Sequence, residues 1–311
     1  MAIAPRAEPL DYFSLAQWQA LTARSSWRGL WLVAHCWAVI ALAMAVGATW
    51  PPTIPLMVTV IGARQLGLFI LMHDAAHAML HRDRRINDWV GKWLCSATLS
   101  RYRPYHLKHH RHVQQAEDPD LVLSAPFPID RASFVRKVWR DLTGQTFVKQ
   151  RFGPLRSRLR RRSGTESASS LVGQELAKDA RFFIANALGF VLFAAAGYAW
   201  VWLALWLLPM MTWLPLASRI RNIAEHALMA RDEPDPLRQA HTTHAGLVER
   251  MLLAPYWVNY HAEHHLFTAV PCWNLPKAHA LLRRQGVTPR MEIQPGYLRL
   301  LGLATAGRSA R

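Results

Sequence analysis

The chain has few cysteines and none of the short motifs that bind a redox cofactor. Its three cysteines, Cys36, Cys95 and Cys272, stand far apart without C-x-x-C spacing, which argues against an iron–sulfur centre or a zinc ribbon. It also lacks a glycine-rich dinucleotide fingerprint and a fused haem domain. The first 28 residues hold no apolar signal core, so we expect no cleaved targeting peptide. A redox reaction here would need electrons from outside the chain.

Acidic residues are also scarce. There are 20 Asp and Glu against 37 Lys and Arg, which gives a formal charge of +17, yet 51% of the residues are hydrophobic and 14 are Trp. Nucleic-acid-binding proteins share the basic charge, but no stacking motif or recognition fold accompanies it here. We therefore expect no nucleic-acid partner, and we attribute the charge to membrane topology and to contact with anionic lipid headgroups.

The apolar residues are concentrated in three long blocks, at residues 29–50, 52–72 and 182–217. A helix needs about 20 residues to cross a bilayer, and the third block is long enough for two crossings with a turn near Gly197. The sequence thus predicts four transmembrane helices in two hairpins. Arg64 interrupts the second block, and such a charge either marks a functional site or packs inside the bundle.

The basic residues predict the orientation. Residues 81–181 contain 21 Lys and Arg, and residues 219–311 contain 12, whereas the turns near Pro51 and Gly197 carry no charge. By the positive-inside rule both termini and the large loop are cytoplasmic. We expect one all-α integral membrane domain over residues 1–311. Its parts are a first hairpin at 29–80, a cytoplasmic helical cap at 81–180, a second hairpin at 181–226 and a cytoplasmic tail at 227–311.

Histidine is the residue with an unusual pattern. Most of the 15 histidines fall in three clusters: His73-Asp-Ala-Ala-His77, His106-Leu-Lys-His109-His110 and His261-Ala-Glu-His264-His265. Positions i, i+3 and i+4 share one face of a helix, so each cluster can direct its rings to a common point. The clusters offer eight candidate metal ligands. The alternative is three runs of solvated or packed histidines, which chance rarely produces at this spacing.

The number of imidazoles favours a site with two iron ions over a site with one zinc ion. Imidazole suits iron, zinc, copper and nickel alike, but one zinc site takes three or four donors and would leave half of these histidines without a role. A ferritin-like carboxylate site needs two E-x-x-H motifs, and only Asp74-x-x-His77 resembles one. A membrane zinc hydrolase remains an alternative. A transport or storage protein is disfavoured, because the clusters lie outside the predicted spans.

The spacing of the three clusters, placed after helix two, in the loop and after helix four, resembles the membrane fatty acid desaturase family of bacterial type. The resemblance extends over about residues 30–285. It includes Asn222-x-x-x-His226, similar to an extra element on the family's fourth helix, and the stretch Asn259-Tyr-His-Ala-Glu-His-His-Leu-Phe267 followed by Asn274-Leu-Pro276. His112 and the pair His241 and His244 are additions to the family pattern.

The resemblance implies nine histidine ligands and one asparagine that holds a metal-bound water. These are His73, His77, His106, His109, His110, His226, His261, His264, His265 and Asn222. Three carboxylates next to these positions, Asp74, Glu225 and Glu263, are candidates to orient the imidazoles. We predict that His35, His81, His112 and His279 do not bind metal. The pair His241 and His244 is the best remaining candidate, and we favour a solvated loop for it over a metal site.

The resemblance further implies two iron ions and O2-dependent oxidation of an acyl chain in a bacterial inner membrane. Removal of two hydrogens would give a double bond, and a carotenoid or sterol-type hydroxylase or ketolase is the rival within the family. The electrons would come from a ferredoxin or a small cytochrome b5-like haem protein with its reductase. We expect Trp89, Trp93, Tyr256 and Trp257 to line a substrate tunnel.

Overall fold

A computed structural model describes residues 3–124, 126–162 and 167–307. Over these residues the chain is mostly helical. The α-helices are α1 (Leu15–Thr22), α2 (Arg28–Thr49), α3 (Ile54–Ala76), α4 (Arg84–Val90), α5 (Leu99–Arg111), α6 (Leu121–Ser124), α7 (Arg131–Leu142), α8 (Gln145–Arg160), α9 (Ala168–Lys178), α10 (Ala180–Ala195), α11 (Ala199–Trp202), α12 (Leu208–Met211), α13 (Trp213–His226), α14 (Leu247–Leu252), α15 (His261–Leu266), α16 (Leu275–Arg284) and α17 (Tyr297–Ala304).

Helices α2 and α3 form the predicted first hairpin. A short 3-10 turn, Pro51–Thr53, joins them, because proline cannot continue a helix interior. Their facing side chains form the largest buried apolar cluster, with Cys36 and Ile40 of α2 against Leu68 of α3. At the opposite end of the hairpin, Gly29 lies directly against the residues that follow the first histidine cluster.

Three helical segments in the described ranges are long and apolar enough to cross a membrane: Arg28–Thr49, Pro51–Ala76 and Ala199–His226. The last joins α11, a π-helical stretch, α12 and α13. The chain turns at Gly197, which has a φ of +82°, at the predicted position. Helix α10 is apolar but has only 16 residues, fewer than the roughly 20 that a crossing needs. Three of the predicted spans are thus present, and the fourth crossing stays a prediction.

The expectation of an all-α fold is wrong in one detail, because the tail contains a two-stranded parallel sheet. Strand β1, His241–Thr243, pairs with strand β2, Glu292–Gln294. Strands of three residues are too short to show an alternating pattern in the sequence. The sheet packs on α13, where the Thr243 hydroxyl donates to the carbonyl of Ala224 at 3.0 Å. It therefore fixes the tail against the helix that ends at His226.

The cap holds the end of α3 through buried polar contacts. Asn87 of α4 is fully buried; its amide donates to the carbonyl of Ala75 at 3.0 Å and accepts from the N–H of Leu80 at 3.1 Å. Arg103 of α5 donates to the carbonyls of Ala75 and Ala76. These donors satisfy carbonyls that the end of a helix leaves free. They join the elements that carry the first two histidine clusters.

Candidate metal centre

Nine histidines converge into two buried groups. The five-histidine group contains His73, His77, His106, His110 and His264, and the four-histidine group contains His109, His226, His261 and His265. Within each group, one ring nitrogen from every member lies within 4.8 Å of those of the others. All nine histidines named from the sequence are therefore brought together, and each group could hold a metal ion.

The helices explain how adjacent residues serve different groups. His109 and His110 are neighbours on α5 but join different groups, as do His264 and His265 on α15. Successive side chains on an α-helix diverge by about 100°, so two neighbours cannot share a point while residues i and i+4 can. His226 is the last residue of α13 and completes the four-histidine group from another side.

The four-histidine group has the geometry of a metal site. Its Nε2 atoms form a closed ring with separations of 3.2 Å for His109–His226, 2.9 Å for His226–His261, 3.0 Å for His261–His265 and 3.3 Å for His265–His109. An imidazole nitrogen either donates one proton or accepts one, so at most two of the four contacts can be hydrogen bonds. Such a ring has a centre about 2 Å from each nitrogen, a length typical of metal–imidazole bonds. A bound metal ion would satisfy all four nitrogens.

In the five-histidine group, too, the ring nitrogens make more close contacts with one another than can be hydrogen bonds. The Nε2 atom of His106 lies 3.0 Å from that of His77 and 2.9 Å from that of His110, which lies 3.0 Å from that of His264. Among the described residues, neither buried ring nitrogen of His73 has a hydrogen-bond partner. An unpartnered buried polar atom costs about 1–3 kcal/mol. Ligation of a metal ion would remove this cost for one of the two nitrogens, so the donor set fits a metal ion.

Burial keeps these imidazoles neutral. Desolvation, reinforced by neighbouring imidazoles, lowers the pKa of His106, His110 and His264 well below the ordinary 6.5. Burial lowers the pKa of His77 to about 4. In the four-histidine group, desolvation likewise lowers the pKa of His265 well below 6.5. The neutral ring is the form that binds metal, so these rings are prepared for ligation at neutral pH.

Two of the three predicted carboxylates, Asp74 and Glu225, lie beside histidines of the two groups, but neither makes a hydrogen bond to one of them. The Oδ1 atom of Asp74 is 3.7 Å from the Nδ1 atom of His73. The Oε1 atom of Glu225 is 3.6 Å from the Nδ1 atom of His261, while the other oxygen accepts from Arg221 at 2.7 Å. Both distances exceed those of a hydrogen bond. Their orienting role therefore stays a proposal.

The third predicted carboxylate, Glu263, makes its hydrogen bonds to residues outside the two groups, and its orienting role stays a prediction. This carboxylate is fully buried and accepts from the Thr242 hydroxyl and from the Nδ1 atom of His279, the latter at 2.6 Å. On α15 its side chain diverges from those of His261 and His264, because residues one or two positions apart do not share a helix face. Glu263 thus holds α15 to α16 and β1, and among the described residues its carboxylate makes no hydrogen bond to a member of either group.

The sequence interpretation missed Asp118. This residue follows the second cluster in the loop after α5, and its buried Oδ1 atom accepts from the Nδ1 atom of His109 at 2.8 Å. Burial alone would lower the pKa of His109, but this hydrogen bond and the charge of Asp120 outweigh it, so the pKa lies above the ordinary value. The sequence shows only an acidic run here, Glu117-Asp118-Pro119-Asp120. Because the run lies in a loop, no helical spacing indicated that Asp118 would bind His109.

Asn222 and the remaining histidines lie outside the two groups. Asn222 is half-buried on α13, one turn before His226, and within the described ranges its side chain makes no hydrogen bond to the protein. The discounted histidines have other partners where contacts are present: His35 with Tyr256, His81 with Asp83, His112 with Gln115, His241 with Ala227 and His279 with Glu263. Their predicted lack of a metal role stays a prediction.

The tunnel lining stays a prediction. Two of its four aromatic residues, Trp89 and Trp93, are 56% and 59% exposed, as amphipathic rings at a membrane interface would be. Tyr256 instead packs against Gly67 of α3 and donates to the carbonyl of Leu32 at 3.2 Å.

Arg64 packs inside the helical bundle, in agreement with one of the two interpretations of this charge. It lies over the Tyr256 ring at 5.7 Å and donates to the carbonyl of Met251 at 2.6 Å. These contacts join α3 to the segment that precedes the third histidine cluster.

Known proteins with similar sequences include desaturases and carotene ketolases. The sequence profile of the family described as fatty acid desaturase matches residues 48–295, which include all nine clustered histidines. The dihydrorhizobitoxine desaturase of Bradyrhizobium elkanii is 26% identical over 266 residues, 79% of this chain and 70% of the relative. The sn-1 oleoyl-lipid 12-desaturase of a Picosynechococcus species is 23% identical over 274 residues, covering 81% and 74%. The beta-carotene ketolase of a Paracoccus species is 25% identical over 270 residues, covering 84% and 87%. The chain therefore belongs to the fatty acid desaturase family.

Proposed function

We propose that this protein is an O2-dependent di-iron oxidase that introduces a double bond into the acyl chain of a lipid. The observation that carries the proposal is the pair of buried groups of five and four histidines. Two separate groups of imidazoles suit two metal ions better than one. Membership of a family whose members include lipid desaturases supports the substrate class.

The nine histidines would hold the two iron ions, with Asn222 as a further candidate to hold a metal-bound water. Two iron ions bound there would supply activation of O2 and abstraction of hydrogen from an unactivated C–H bond. The protein contributes rigid placement and exclusion of water. Eight of the nine histidines lie in helices, and most of the nine are buried. Rings fixed in this way need little reorganisation when charge develops at the site.

The overall reaction needs electrons from a second protein. Forming a double bond gives two electrons and two protons, and O2 needs two further electrons and protons to leave as two molecules of water. We infer that a ferredoxin or a cytochrome b5-like protein with its reductase supplies them. The excess of Lys and Arg would attract an acidic donor at low ionic strength.

We further propose that the protein is a multi-pass protein of a bacterial inner membrane, with the metal centre and both termini in the cytoplasm. Three apolar helices of crossing length support a membrane location. The uncharged turns at Pro51 and Gly197, with basic segments elsewhere, support the orientation by the positive-inside rule.

A ketolase or hydroxylase acting on a carotenoid or another lipid is the second candidate. One observation favours it: a beta-carotene ketolase matches this chain at 25% identity, about as well as the desaturases do. In that reaction an oxygen atom enters the product. A membrane zinc hydrolase fits less well, because a single metal ion leaves one of the two histidine groups without a role.

Lipid analysis of an expressing bacterial host tests this proposal. We expect a new lipid that lacks two hydrogens when the host grows with oxygen and iron, and none when the host carries the His264→Ala variant. A new hydroxyl or keto lipid would instead support the second candidate. Lipid cleavage that proceeds without oxygen or reductant would contradict both and favour hydrolysis.

A further inference from the structure

We propose that Asp118 and Gln114 are positioning residues that act on the four-histidine group alone and strengthen metal binding at that position. The inference rests on the metal centre proposed above and adds an asymmetry between its two halves. Its basis is a set of buried hydrogen bonds between the loop that follows α5 and two histidines of the four-histidine group.

Asp118 makes three hydrogen bonds from a side chain that is 1% exposed. Its Oδ1 atom accepts from the Nδ1 atom of His109 at 2.8 Å and from the N–H of Asp120 at 2.8 Å. Its Oδ2 atom accepts from the N–H of Gln114 at 2.9 Å. The two backbone donors fix the carboxylate, and the carboxylate in turn fixes the ring of His109.

Gln114 extends this network to a second histidine of the same group. Its side-chain amide donates to the carbonyl of His226 at 3.1 Å, and the residue is 97% buried, since only 3% of it is exposed. Its φ of +60° lies in the left-handed region, which non-glycine residues adopt at a cost of about 1 kcal/mol or more. One short loop therefore joins the ring of His109 to the backbone of His226, although α5 and α13 are far apart in sequence.

The five-histidine group has no equivalent support among the described residues. The one carboxylate oxygen within 4.0 Å of any of its ring nitrogens belongs to Asp74, at 3.7 Å from His73. That oxygen is too distant to accept a hydrogen bond. The two groups therefore differ in their number of histidines and also in whether a carboxylate hydrogen-bonds to one of them, which affects how strongly that histidine binds a metal ion.

The carboxylate has two effects on His109. In the neutral ring, the hydrogen bond from Nδ1 to the carboxylate leaves the lone pair on Nε2, which is directed into the four-histidine ring, so the tautomer selected is the one that binds metal. The negative charge also makes Nε2 a stronger donor to a metal ion. Loss of such a partner typically costs about 10–100-fold in metal affinity. We expect this cost at the four-histidine position and none at the five-histidine position.

Cobalt titration of the full-length metal-free protein in detergent tests the inference, with Co2+ absorption as a readout that does not depend on activity. The wild-type protein should bind two Co2+ ions. Asp118→Asn should weaken one binding step about 10–100-fold, change its absorption and leave the other step intact. Asp118→Glu should recover part of the affinity. Glu117→Gln is the matched control, because Glu117 is the adjacent carboxylate and makes no polar contact within the described ranges.

The melting temperature of each metal-free variant reports its effect on general stability. Asp118→Asn leaves the N–H of Gln114 without its carboxylate acceptor, so we expect a lower melting temperature but an unchanged affinity at the five-histidine position. Unchanged affinities in Asp118→Asn would overturn the inference, and so would equal weakening of both steps with a lower melting temperature. A wild-type protein that bound no Co2+ would instead overturn the metal centre itself, which is a different failure.

Discussion

Replacing His109 or His264 with alanine is expected to reduce lipid oxidation to background. His109 belongs to the four-histidine group and His264 to the five-histidine group, so each variant removes one ligand from a different metal position. Both positions are needed if the two metal ions act together on O2. The measurement is product formation in the expressing host, with iron per chain measured on the purified variants. Each variant should lose iron as well as activity.

His112→Ala is the matched control for His109. His112 follows directly after α5, and its Nδ1 atom lies 3.2 Å from the Gln115 side chain, away from both groups. We expect this variant to retain most of the activity and its iron. Loss of oxidation in His112→Ala together with normal oxidation in His109→Ala would contradict the assignment of the ligands.

Gly29→Ala is expected to have the largest effect on stability. A Cβ atom at position 29 would lie 1.9 Å from the carbonyl oxygen of Leu80, and a backbone atom cannot move aside as the end of a side chain can. Overpacking of this kind costs typically about 1–3 kcal/mol, and we expect the upper end here. Since Leu80 follows closely after His77, the displaced segment should also disturb the first histidine cluster. Thermal unfolding in detergent and iron content are the measurements.

Gly173→Ala is the control for this substitution. Gly173 lies on α9 with nothing within 4 Å of an added Cβ atom, so alanine should stabilise the helix by about 0.5–1 kcal/mol. A Gly29→Ala protein that unfolds at the wild-type temperature would show that α2 does not pack as closely on the segment after α3 as the structure has it.

The histidine clusters could be read from the sequence because their geometry is local. The spacing from His106 to His110 alone determines that both rings share one face of α5, and the structure places them in one group. The assignment of His109 to the other group depends on where α13 and α15 lie. That is a tertiary arrangement, which spacing within one cluster does not contain.

The partners of the histidines were harder to predict. Glu263 stands beside His264 in the sequence, but adjacent residues on a helix diverge, and its carboxylate binds His279 and Thr242 instead. Asp118 lies nine residues beyond His109 and reaches it because the loop after α5 folds back. The separation of two residues along the chain is therefore a poor guide to which carboxylate binds which histidine.

Hydropathy predicted the long spans and failed on short elements. Helices α2 and α3 match the first two apolar blocks closely. Helix α10 is too short to be counted with them, and β1 and β2 carry too few residues to leave a pattern. The aromatic residues show a similar limit, since hydrophobicity alone did not separate exposed Trp89 from the packed Tyr256.

The metal content of the wild-type protein shows whether the two histidine groups hold two iron ions. The protein would be purified gently from iron-fed cells, and iron and zinc would be measured per chain. We expect about two irons per chain and little zinc, because nine imidazoles in two groups supply more donors than one zinc ion uses. One tightly bound zinc per chain, unchanged by the iron supply, would contradict a di-iron centre and favour a hydrolase.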